Sequence, residues 1–96
     1  MFDLIKHFIE NLIIDMKNKI IVESEVIYGY SKLEYALSHE DYMASVSILS
    51  DFTYDFFIVD IESENTLLVK TKQFKNIDDL LKELEHDLSK FSTLAK

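Results

Sequence analysis

The spacing of apolar residues changes its period twice along the chain. Ile5, Phe8, Ile9, Leu12, Ile13 and Met16 recur at steps of three and four, while Lys6, Glu10 and Lys17 fall elsewhere on the wheel. This predicts an amphipathic helix over about residues 2–18. Asp3 stands in its first turn, where a carboxylate complements the positive end of the helix dipole.

From residue 20 to residue 74 the period is two, the signature of strands with distinct faces. Extended segments are predicted over about 20–30 and 32–38; the first carries Glu23 and Glu25 between apolar neighbours and ends near Gly29, the only glycine. A third strand, about 42–50, sets Tyr42, Ala44, Val46 and Ile48 against Met43, Ser45, Ser47 and Leu49, and Asp51, Phe52 and Thr53 make a turn. The fourth, about 54–61, is apolar on both sides: Tyr54, Phe56 and Ile58 on one, Phe57, Val59 and Ile61 on the other. Two apolar faces predict the most buried strand and the centre of the sheet. Glu62 to Asn65 form a polar connection, and a fifth strand over about 66–74 alternates Leu67, Val69, Thr71 and Gln73 with Leu68, Lys70 and Lys72.

The helical period then returns. Asn76 offers an N-cap, Asp78 and Asp79 occupy the first turn, and Ile77, Leu80, Leu81, Leu84, Leu88 and Phe91 trace one stripe, which predicts a helix over about 77–91. The order helix, strands, helix reads as an α+β fold. It is a single domain over 1–96 with an antiparallel meander of about four to five strands, both helices on one face and the other face partly free.

Composition narrows the chemistry. Among 96 residues, 48% are hydrophobic, enough for one core. No cysteine is present, so a disulfide framework, a thiolate metal site and a thiol nucleophile are excluded. Charged residues interrupt every apolar run near the N-terminus, so neither a signal peptide nor a membrane span is expected, and the cytoplasm is the expected compartment. Eighteen acids against ten bases give a net charge of −8. That balance repels nucleic-acid phosphates and anionic lipid, and draws basic protein surfaces.

A catalytic constellation is hard to assemble. Serines 45, 47 and 50 lie in no nucleophile elbow, and a single glycine cannot build a phosphate-cradling loop. His39, Glu40 and Asp41 are the one candidate metal cluster, but adjacent turn residues seldom converge on one ion, and a solvated polar turn is the expected state. His7 and His86 read as surface or boundary residues of the two helices. No cofactor, metal or catalytic residue is therefore assigned.

Binding is better represented. Tyr28, Tyr30, Tyr35, Tyr42 and Tyr54 supply rigid area with a polar tip, although tyrosine also packs well within sheets. Glu34, Glu40, Asp41, Asp51 and Asp55 lie among them in sequence, so an acidic patch with Tyr35 and Tyr54 as aromatic anchors is the expected contact surface.

The segment YMASVSILSDFTYDFFIVDIESENTLLVKTKQF, followed by IDDLLKELEHDLSKF, resembles the small bacterial immunity proteins of polymorphic and contact-dependent growth inhibition toxin systems, in particular the TriTu-type immunity family. The matching positions are Tyr42 to Leu49, the turn at Ser50 to Thr53, Ile58 to Ser63 with Asp60 and Glu62, Phe74, and Ile77 to Leu88. The chain departs from the pattern in having no tryptophan and no glycine in the Ser50–Thr53 and Glu62–Asn65 turns. The resemblance implies a monomer that binds a cognate toxin domain one to one and blocks its active site or substrate path. The toxin would be basic, such as an RNase or other nuclease.

Other readings make different demands. A type III secretion chaperone would be a dimer holding an extended effector segment, a small metal-dependent enzyme would use His39, Glu40 and Asp41, and a DNA mimic would align its carboxylates in rows.

Overall fold

In the computed structural model, which describes residues 1–17 and 19–95, the elements follow the order α1 (Phe2–Asp15), β1 (Ile21–Tyr28), β2 (Lys32–His39), β3 (Tyr42–Leu49), β4 (Thr53–Asp60), β5 (Thr66–Gln73) and α2 (Ile77–Ser92). The strands form one antiparallel sheet in the order β1-β2-β3-β4-β5, a meander. This is the α+β architecture expected from the periodicity. The first helix stops at Asp15, earlier than expected, and the expected end at Asn18 lies outside the described residues.

Period two explains why one sheet face is buried. Leu33, Tyr35, Leu37, Tyr42, Ala44, Val46, Ile48, Tyr54, Phe56 and Ile58 all point toward the helices and join Ile5, Ile9, Leu80, Leu84, Leu88 and Phe91 in a single cluster. Each fully buried side chain of this size contributes roughly 1.5–3 kcal/mol of transfer free energy. The closing helix begins where Asn76 Oδ1 accepts a hydrogen bond from the Asp79 backbone N–H at 2.9 Å, satisfying one otherwise orphaned donor.

β4 departs from expectation. Its second apolar face is not covered: Phe57 is exposed and Val59 only half-buried, because both helices pack on the opposite side of the sheet. The middle position belongs to β3, third in the order. The turns at Ser50–Thr53 and Glu62–Asn65 work without glycine by holding Phe52 (φ 67°) and Glu64 (φ 62°) in the left-handed region. Phe52 packs its ring on the core, whereas the Glu64 turn is held by Asp60, whose Oδ1 accepts from the Glu62 and Ser63 N–H groups at 3.0 and 3.4 Å. Among the described residues, no helix is long and apolar enough to cross a membrane.

His39 also differs from its expected place in a solvated turn. It is buried, with Nδ1 2.9 Å from the Lys19 carbonyl oxygen, Nε2 2.9 Å from the Leu94 carbonyl oxygen, and its ring edge-on to Phe91. Both nitrogens thus face main-chain acceptors from the segments that follow the two helices. A neutral ring donates to one of them and a doubly protonated ring to both.

Candidate functional site

Cross-strand partners in an antiparallel sheet share a face, so the registers define what the uncovered side presents. Val26, Glu34, Ser47, Asp55 and Thr71 form one row across it. Ser24, Ala36, Ser45, Phe57 and Val69 form the next, and Ile21, Ser38, Met43, Val59 and Thr66 the one beyond. The face is therefore divided lengthwise into a polar part around Ser47 and an apolar part around Phe57.

In the apolar part, Ala36, Met43, Ser45, Phe57, Val59 and Ile61 line a shallow hollow of about 440 Å³. Serine and alanine supply the floor, and the larger side chains supply the walls. Two turns close one end of it: the Ile61 N–H donates to the Asp41 carbonyl at 2.9 Å, tying the β2–β3 turn to the β4–β5 connection. Those turns carry Glu40, Asp41, Glu62 and Glu64, all exposed. An apolar centre with a charged border is the anatomy of a protein-binding patch.

In the polar part, Glu34 and Asp55 lie one on each side of Ser47. Glu34 accepts from Ser47 Oγ at 3.4 Å and pairs with Lys32 at 2.8 Å, while Asp55 accepts a short hydrogen bond from the Thr71 hydroxyl. The hydrogen bond to Glu34, with its charge second, raises the Lys32 pKa. Asp51, in the β3–β4 turn, is held below the usual carboxylate range by hydrogen bonds from Thr53, including its N–H at 3.0 Å.

The expected contact residues are thus sorted into three groups. Glu34 and Asp55 come together on the open face. Glu40 and Asp41 lie at one end of the sheet and Asp51 at the other, a strand length of roughly 25 Å apart. Tyr35 and Tyr54 are corrected: they point to the helices, 1% and 0% exposed, and cannot touch a partner. Strand parity decided this, since both fall in register with Val46 and Ile48 of the buried face.

Tyr54 has a different task. Its hydroxyl donates to Asp87 Oδ2 at 2.8 Å, and Lys70 Nζ donates to Asp87 Oδ1 at 2.8 Å and to Glu83 Oε1 at 2.6 Å, so β4, β5 and α2 meet in one polar cluster. Burial, followed by the Asp87 charge, drives the Tyr54 pKa far above its ordinary value. Burial pulls the Lys70 pKa down, but its hydrogen bonds to Asp87 and Glu83 together outweigh that and raise it.

The residues that sequence reasoning missed are Met43, Phe57, Val59 and Ile61 as a surface. For Phe57, Val59 and Ile61 the signal lies in the two-sided apolar pattern of residues 54–61, which predicts double burial; Met43, on β3, stands among small polar neighbours and carries no such signal. The metal candidate dissolves for a geometric reason: His39 turns inward onto two carbonyls while Glu40 and Asp41 face solvent. Among the described residues no three His, Asp or Glu side chains converge on one point.

No protein-family model matches this chain, and no curated protein matches it.

Proposed function

We propose that this chain is a stoichiometric inhibitor that binds a basic protein partner through the open face of its sheet, in the manner of an immunity protein neutralising a toxin. The observation that carries the reading is an uncovered sheet face whose apolar hollow, walled by Met43, Phe57, Val59 and Ile61, is bordered by carboxylates. Such a face gains by being covered, and a net charge of −8 selects a positively charged cover. A nuclease cleft, built to attract phosphate, has the required charge and concavity. Carboxylates such as Glu34 and Asp55 would steer the encounter, and Phe57 would hold the complex. The resemblance to immunity proteins in the order of elements and the acidic closing helix supports the same reading. Inhibition would take place in the cytoplasm, one inhibitor to one toxin.

The test is co-expression with basic nuclease toxin domains, scored by growth protection and by calorimetry. A cognate pair should lose about 2–4 kcal/mol of binding with Phe57→Glu, as expected for a central interface residue. Reversing Glu34 and Asp55 to lysine should slow association and flatten its salt dependence. Full protection by the Phe57→Glu protein would overturn the reading.

A further inference from the structure

The two edges of the sheet are not equivalent. β1 is exposed at all eight positions, and its apolar residues are bare on both sides: Ile21, Val26 and Tyr28 on the open face, Val22 (42%) and Ile27 (41%) on the helix face. On β5 the bare apolar residues, Leu67 and Val69, lie on the open side alone, because α2 covers Leu68 and draws Lys70 into its ion cluster. β1 therefore projects past the helical cover, and its outer rim offers unpaired main-chain groups with apolar side chains above and below.

We infer that β1 is a docking edge to which an extended segment of the basic partner adds as a sixth strand. This specifies how the partner of the preceding section engages the sheet, and so rests on that reading. A bulge between Val22 and Ser24 breaks the regular ladder on one side, which leaves Ser24–Tyr28 as the straight stretch able to pair. Charge selects the occupant. The strand carries Glu23 and Glu25 and no base, so a second copy added here would gather four carboxylates on one ladder. A segment alternating basic and apolar residues instead sets a cation near Glu25 on the helix face and apolar side chains against Val26 and Tyr28 on the open face. Lys6 already shows the geometry, reaching Glu25 from α1 at 2.9 Å. Beyond the strand, Tyr30 stands 97% exposed at the tip of the β1–β2 turn, next to Gly29 with its positive φ, as an aromatic contact for whatever lies along the edge.

The experiment uses a capped heptapeptide alternating lysine with valine, and the same peptide N-methylated at alternate amides. The second keeps the charge and removes the donors. Amide hydrogen exchange of the intact protein, read residue by residue by NMR, should slow at alternate positions of Ser24–Tyr28 by about tenfold with the first peptide and not with the second. Glu25→Lys should weaken the peptide about tenfold while leaving the fold's spectrum unchanged. Equal binding of both peptides, protection on β5 instead, or concentration-dependent pairing of β1 with another copy would each overturn the inference. The two proposals fail separately. A toxin neutralised through Phe57 with no strand addition at β1 removes only this one, and strand addition without any neutralised toxin removes only the function.

Discussion

Tyr35 and Tyr54 mark two regions of one core that handle a buried hydroxyl in opposite ways. On the α2 side, Tyr54, Lys70, Glu83 and Asp87 form a network in which Asp87, 2% exposed, accepts at both oxygens. On the α1 side, the ion pair Lys6–Glu25 is more open to solvent, and the buried Tyr35 hydroxyl finds no partner within hydrogen-bond geometry among the described residues. Burial, with the Glu25 carboxylate second, raises the Tyr35 pKa well above its ordinary value. A completed polar network fastens β4 and β5 to α2, while β1 is fastened by little more than its pairing with β2. The same side chain is thus a structural link in one place and an uncompensated cost in the other, according to what the neighbouring helix supplies.

The largest expected effect comes from breaking the stronger side. Asp87→Ala strands the Tyr54 hydroxyl and leaves Lys70 with Glu83 alone, and should cost about 2–4 kcal/mol, measured as a lowered urea midpoint. Tyr54→Phe removes one donor from Asp87 and should cost about 1 kcal/mol in the same assay. Tyr35→Phe should be neutral or slightly stabilising, within about 1 kcal/mol, because the hydroxyl it deletes has no hydrogen-bond partner among the described residues. If Tyr35→Phe destabilised as much as Tyr54→Phe, the contrast between the two regions would fail.

A pH titration sharpens the comparison further. The hydrogen bond from Lys70, more than its charge, holds the Glu83 carboxyl below its ordinary 4.5. A lowered folded-state pKa adds stability that is complete above that value and fades as pH falls below it. Lys70, raised above 10.5, adds stability that is complete below that value and fades as pH climbs past it. The stability lost in Glu83→Gln should therefore be constant through neutral pH and shrink in acid. Smallest of all, Glu25→Gln should lower the urea midpoint only slightly, with the difference erased by high salt, since the Lys6–Glu25 pair is partly exposed.

Much of the fold could be read from local pattern. The cap of the closing helix, the five strands and the meander follow from residues that interact with near neighbours: the stripe from Leu80 to Phe91, Asn76 before its helix, and short polar turns between alternating runs. The candidate site was less legible. Glu34 and Asp55 were named, yet their juxtaposition across Ser47 depends on three strands in register, and nothing near either residue in sequence encodes it. Tyr35 and Tyr54 enter the expected patch because acids neighbour them in sequence, whereas strand parity, visible in the Tyr54, Phe56 and Ile58 stripe, puts them on the buried side.

By itself, the order of residues determined which elements form, which positions along each strand are apolar, and that the chain is acidic, because propensity, period and charge are properties of short segments. Only the tertiary structure decided which apolar surface remains bare. Both helices pack on the side of Tyr54, which leaves Phe57 exposed and Val59 half-buried and extends β1 beyond its cover. A helix covers only the face it packs against, and both helices pack against the same one, so the choice of face, made by packing across the whole chain, creates the surface available to a partner.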